Sequence, residues 1–190
     1  MNIMDYTALE KEEIAEIQTK AFIAPEGWIV IAGTYKGGDA MSTRIVAPDR
    51  KLLVIDSFEG LSELKDEDDC EKIMKAGSFS NGGVDQYLKN FEDMKIHQPD
   101  EIEKMWINEK NIKEISKRKI AFLWLDLDLY EPTIACLKHF EPMMVEGGII
   151  MTHDYGFEQT PGIEKACSEF GGKWKKVYSN MYQQIKNKED

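Results

Sequence analysis

Trp28-Ile29-Val30-Ile31-Ala32 runs straight into Gly33-Thr34-Tyr35-Lys36-Gly37-Gly38, and this passage decides how the chain is read. Five apolar residues in a row, three of them β-branched, describe a strand covered on both faces. The glycines describe a tight turn that admits close backbone approach, followed by a helix predicted from Asp39 to about Val46. The same texture recurs downstream. Lys51–Ile55 is a second strand ending on Asp56, and Ile120–Leu125 is a central strand closed by Asp126. Gly147-Gly148 opens Ile149–Thr152, which ends at His153-Asp154.

Helical faces lie between these strands. Val84, Tyr87, Leu88 and Phe91 fall at i, i+3, i+4 and i+7. Pro132 suits the first turn of a helix carrying Ile134, Leu137 and Phe140, and Pro161 starts another with Ile163, Ala166, Cys167 and Phe170. Weaker strands are predicted near Lys104–Ile107, Trp174–Tyr178 and Tyr182–Ile185. Strands alternating with helices predict an α/β fold, a mostly parallel sheet flanked by helices.

Residues 1–27 read as an N-terminal helical lead-in. Thr7-Ala8-Leu9-Glu10 resembles a capping box, Leu9, Ile14, Ile17 and Ala21 form a stripe, and Pro25-Glu26-Gly27 ends it. Residues 28–190 then form a single domain. The stretch Ser62–Lys72 reads as loop or solvated helix, with Asp66–Asp69 on a solvated face.

The 190 residues, 42% of them hydrophobic, suit one compact core. With 35 acidic against 24 basic side chains the net charge is −11, which argues against nucleic-acid backbones and anionic membranes as partners. No apolar run approaches the ~18–20 residues that span a bilayer. The first 13 residues lack a signal pattern, and a cytoplasmic protein is expected. Cys70, Cys136 and Cys167 fit neither a disulfide framework nor a CxxC metal site.

Open α/β sheets bind ligands beyond the carboxyl ends of their strands. Gly33–Gly38, Asp56–Phe58, Asp126–Tyr130 and His153–Tyr155 are therefore where chemistry is expected. The glycine turn is either a ligand cradle or a plain turn. Asp56 is either a ribose-binding carboxylate or a helix cap. Alternation along an extended strand end puts Asp126 and Asp128 on one side, where His153 and Asp154 could join them. That set suits Mg²⁺ or Mn²⁺. Alternatively Asp128 caps the next helix, Asp126 meets a lysine, and His153 is an ordinary buried imidazole. The absence of G-x-G-x-x-G argues against a nicotinamide enzyme.

Several strings are more specific. Gly33 to Gly38, Val54-Ile55-Asp56-Ser57-Phe58-Glu59-Gly60-Leu61 and Leu125-Asp126-Leu127-Asp128-Leu129-Tyr130-Glu131-Pro132-Thr133 closely resemble the macrocin O-methyltransferase (TylF-type) family. So do Gly147-Gly148-Ile149-Ile150, Asp154-Tyr155-Gly156 and Thr160-Pro161-Gly162-Ile163, and the resemblance spans roughly Gly27 to Lys186. It implies a Rossmann-like class I methyltransferase fold with seven strands, the last antiparallel. It implies S-adenosyl-L-methionine as cofactor, a divalent metal, a small-molecule hydroxylated acceptor such as a sugar, and a homodimer. By this analogy Gly33, Thr34, Tyr35, Gly37 and Gly38 hold the methionine end of the cofactor. Asp56 holds the ribose, and Ser57 and Phe58 lie beside the adenosine. Asp126 is metal ligand and general base, and Asp154 is a second ligand.

The chain departs from the family pattern at three places. Ile31 stands where the family has an acidic residue, and His153-Asp154 replaces Asp-Asp. The N-terminal and lid segments are also short. His153 is then a candidate metal ligand or an alternative base. A binding protein that kept the fold without catalysis is the competing expectation.

Overall fold

A computed structural model describes residues 2–68 and 74–187. Seven strands form one sheet in the order β3-β2-β1-β4-β5-β7-β6. They are β1 (Trp28–Ala32), β2 (Leu52–Asp56), β3 (Glu101–Lys104), β4 (Ile120–Leu125), β5 (Met144–Thr152), β6 (Lys175–Tyr178) and β7 (Met181–Ile185). β1 to β5 are parallel, and β7 runs antiparallel to both of its neighbours. The predicted third strand sits three residues earlier than expected, because Leu53–Asp56 pairs with Glu101–Lys104 rather than with the apolar residues after them.

Period-two alternation divides the core between the two faces. Ile29, Ile31, Val54, Phe122, Trp124 and Met151 pack with the helices α1 (Lys11–Ile23), α2 (Gly38–Val46) and α3 (Val84–Met94). Val30, Leu53, Ile55, Leu123, Leu125 and Ile150 pack with α4 (Tyr130–Phe140) and α5 (Pro161–Phe170). Cys136 and Cys167 are buried free thiols on this second face. Cys70, Asp69 and the end of the predicted 62–72 loop lie outside the described residues.

The lead-in helix starts later than the sequence suggests. Its capping box is Glu10 with Glu13, while Thr7 Oγ1 accepts from the Leu9 amide. Ile14, Ile17 and Ala21 turn inward, so α1 lies on the same face as α2. A second correction concerns the acidic stretch. Asp68 is buried rather than solvated, and its Oδ1 accepts the Tyr130 amide at 2.6 Å. A helix N-terminus carries unsatisfied amides, and a carboxylate brought from elsewhere serves as well as a local cap.

One ion pair ties the far edge of the sheet to α2. Arg44 is buried and donates to Asp100 Oδ2 at 2.8 Å and to the carbonyls of Arg50 and Gln98. Burial works to raise the Asp100 pKa, but Lys51 and Arg44 overcome it and hold the carboxyl well below its usual range. Asp100→Ala leaves the guanidinium buried without a counter-charge, at an expected cost of about 3 kcal/mol. Urea denaturation of the two proteins measures it, and a loss below about 0.5 kcal/mol, usual for surface changes, contradicts the account.

Candidate active site

The carboxyl ends of β1, β2, β4 and β5 open onto a cavity of about 530 Å³. Backbone pairing continues past the strands and aligns the turns that leave them. The Gly33 amide donates to Ile55 O, the Asp126 amide to Ala32 O, and the His153 amide to Leu125 O, each at 2.9 Å. Gly33 has φ +78°, and a Cβ there would lie 1.8 Å from the Asp126 carbonyl oxygen. Only glycine fits.

Asp56 pins two turns at once. Its Oδ2 accepts the Thr34 amide at 2.8 Å, and its Oδ1 accepts the Phe58 amide at 2.6 Å. Burial raises its pKa, against the pull of these amides. The Tyr35 and Ser57 amides pull in the same direction, and the carboxylate lines the cavity. Gly33, Thr34, Tyr35, Asp56 and Ser57 line the cavity; Gly37, Gly38 and Phe58 stand behind it. Gly37 is packed by Tyr87 and Phe91, and Gly38 abuts Tyr6 and Thr7. The Phe58 ring is buried edge-on against Tyr87, with centroids 5.0 Å apart. It supports the wall from the core side.

Asp126, His153 and Asp154 come together at the carboxyl ends of β4 and β5. His153 Nδ1 lies 2.8 Å from Asp154 Oδ1 and 3.4 Å from Asp126 Oδ1, and one ligand atom from each residue falls within 4.8 Å of the others. Adjacent ligands around a divalent ion with bonds of ~2.1 Å are about 3 Å apart, so this N/O set fits one. Asp128 reaches the cavity by a different route from the one expected. The strand ends at Leu125 and Asp128 has φ +60°, so a turn, not strand alternation, brings its side chain in beside Asp154. It does not cap α4, since Asp68 does, and Asp126 meets His153 rather than a lysine.

Charge in this corner is strongly coupled. Burial raises Asp126 to about 7, with Asp154 and Glu13 adding to the rise and His153 opposing it. For His153 burial works downward, but Asp126, Asp154 and Glu13 outweigh it and lift the imidazole to about 11. A divalent ion held at Nδ1 would take the place of a proton there.

Three contributors are not visible in the sequence. Glu13, from α1, reaches His153 Nε2 at 3.1 Å. Asp39 is buried and lines the cavity; its Oδ1 accepts from Thr34 Oγ1 and the Ala40 amide, and its Oδ2 from Trp124 Nε1. Asn81 donates to the Tyr35 carbonyl and holds the glycine turn from outside. The Gly37-Gly38-Asp39 string hints at Asp39, but an acid in a first helical turn is common enough to be dismissed as dipole compensation. Nothing local marks Glu13 or Asn81.

The chain is similar to known proteins along most of its length. The profile of the macrocin-O-methyltransferase (TylF) family matches residues 11–185. A curated relative, the 8-demethyl-8-(2,3-dimethoxy-alpha-L-rhamnosyl)-tetracenomycin-C 4'-O-methyltransferase of Streptomyces olivaceus, is 27% identical over 145 residues. That alignment covers 70% of this chain and 54% of the relative, so the chain spans about half the relative's length. Among solved structures, the O-methyltransferase NovP superposes with a TM-score of 0.78 at 19% identity, covering 96% of this chain and 83% of its own. The calicheamicin methyltransferase CalS11 gives 0.77 at 21%, covering 92% and 77%. At these identities the structures speak for the fold, a Rossmann-like methyltransferase sheet.

Proposed function

The chain belongs to the macrocin O-methyltransferase (TylF) family, and we propose that it transfers a methyl group from S-adenosyl-L-methionine to a hydroxyl of a small molecule, a sugar or a glycosylated natural product. The observation that carries the reading is the convergence of Asp126, His153 and Asp154 in the cavity that Gly33–Tyr35 and Asp56 also line. Donor and acceptor sites thus share one enclosure.

In this reading Gly33, Thr34 and Tyr35 receive the methionine end of the cofactor, Asp56 its ribose hydroxyls, and Ser57 flanks the adenosine. Asp126, His153 and Asp154 hold a divalent metal, Mg²⁺ or Mn²⁺. When bound, the metal lowers the pKa of an acceptor hydroxyl and orients it. Asp126, whose carboxyl lines the cavity beside His153, takes the proton. Both nitrogens of His153 face carboxylates, which suits a ligand or a proton donor and leaves the base role to Asp126. Holding the reactants in line accounts for much of the remaining acceleration. Residues 28–190 act as the catalytic unit, with the lead-in closing one side. A homodimer and a cytoplasmic setting go with this reading, and the net charge of −11 speaks against nucleic-acid acceptors.

Calorimetric titration with S-adenosylhomocysteine, with and without Mg²⁺ or Mn²⁺, is the test. Binding at micromolar affinity or tighter is expected, with NAD⁺ giving no heat. No binding under any condition refutes the proposal. Binding without product from any hydroxylated acceptor would favour a non-catalytic binding protein.

A further inference from the structure

We infer that Glu13, on the lead-in helix, is a positioning residue that holds the Nε2–H of His153 and so turns Nδ1 toward a cation shared with Asp126 and Asp154. The inference rests on the metal-assisted reading of the site given above.

The geometry is one of opposite ends. Glu13 Oε1 lies 3.1 Å from Nε2, whereas the two aspartates lie 2.8 and 3.4 Å from Nδ1 on the other side of the ring. An imidazole offers one nitrogen to a metal only if the other keeps its proton, and a carboxylate acceptor fixes which nitrogen does so. Glu13 is itself fixed. Its Oε2 accepts the Glu10 amide at 2.9 Å, inside the capping box of α1, and its side chain is only 6% exposed. Ile14 and Ile17, on the same helix, are buried in the core and leave α1 little room to drift. The His153 ring also packs against Trp124 in an edge-type contact, with centroids 6.1 Å apart. Among the described residues, His153 is the cationic side chain that this buried carboxylate meets, and it stands 140 positions away in sequence.

This arrangement makes the N-terminal segment part of the site. Thr7, Ala8 and Leu9 already form one wall of the cavity, and the Glu13–His153 contact ties that wall to the carboxyl end of β5.

The full chain is titrated with Mn²⁺, free ion being counted by electron paramagnetic resonance, as wild type, Glu13→Ala and Glu13→Gln. An orienting carboxylate of this kind is worth about 10–100-fold in metal affinity. Glu13→Ala is expected to weaken Mn²⁺ binding within that range. Glu13→Gln keeps one acceptor oxygen for two donors, Nε2–H and the Glu10 amide, and should recover part of the loss. With diamagnetic Zn²⁺, long-range ¹H–¹⁵N correlation of His153 should show metal on Nδ1 and a proton on Nε2 in wild type, and lose that single pattern in Glu13→Ala. A merely structural role would leave the ring pattern unchanged. Wild type that binds Mn²⁺, with Glu13→Ala matching it in affinity and ring pattern, overturns this inference alone. Wild type that binds no Mn²⁺ overturns the metal reading and the inference with it.

Discussion

Asp126→Ala is expected to lower methyl transfer by about 10²–10⁴-fold, the usual worth of a positioned general base. Affinity for S-adenosylhomocysteine should change little. The cofactor side of the cavity is built on Gly33, Thr34 and Asp56, and the part of residue 126 that comes nearest a Cβ placed at Gly33 is its backbone carbonyl, which alanine keeps. The loss should therefore fall on kcat more than on cofactor binding. Asp126→Asn, which keeps the shape, should be nearly as poor. Burial raises the Asp126 carboxyl to about 7 in the metal-free protein, and a bound cation favours its ionised form. A base works only when ionised, so wild-type activity should fall toward acid pH with a midpoint below that value. Steady-state kinetics across pH 5.5–8.5, with calorimetry for the cofactor product, separate these effects. Turnover by Asp126→Ala within a few fold of wild type would remove Asp126 from the chemistry.

Most of the fold is legible because it is written locally. β1, β2, β4 and the second half of β5, residues 149–152, are apolar runs whose ends are marked by glycine, aspartate or histidine, as parallel central strands must read. The first half of β5, residues 144–148, carries Glu146 and two glycines and is not predicted. The four segments predicted to carry chemistry come from the rule that ligands lie beyond the strand ends, and residues from all four line one cavity. β3 escapes the sequence pattern because its residues, Glu101–Lys104, are mostly charged and lie at the sheet edge, where backbone pairing rather than apolar patterning decides. Strand alternation puts position 128 in the right space for the wrong reason, since alternation stops once the chain turns left-handed. Asp68 and Glu13 are not legible at all. Each acts on a residue 62 or 140 positions away, and a carboxylate with a distant partner looks in sequence like any other surface acid.

Asp39 is hidden in the same way, with a larger energetic consequence. Ile31, where the family pattern has an acid, is buried and pairs with Trp124 across β1 and β4. The Trp124 indole donates to Asp39, so α2 brings a carboxylate to that same layer of the structure. Its partners are Thr34, Ala40 and Trp124, all neutral, and Asp126 and Asp56 add like charge. Burial, reinforced by those two carboxylates, raises the Asp39 pKa to about 8. In the unfolded chain the same group loses its proton near ~4. Between these values only the folded state carries the proton, so the stability this group contributes is full at low pH and is lost as pH rises toward 8. The slope reaches ~1.4 kcal/mol per pH unit at most and flattens above the folded value. Denaturation of the cofactor-free protein from pH 5 to 8.5 should show this decline, and Asp39→Asn should make it shallower. Asp126 and Asp56 are coupled to Asp39 and shift with it, so the comparison reads Asp39 together with its effect on them, while carboxylates farther away cancel. A cation in the cavity reverses the balance by favouring the ionised form. The preference for S-adenosyl-L-methionine, a sulfonium, over S-adenosylhomocysteine, a neutral thioether, should therefore grow between pH 6 and 8.5 and shrink in Asp39→Asn. Identical pH slopes in the two proteins would mean that Asp39 is ionised throughout and already compensated within the fold.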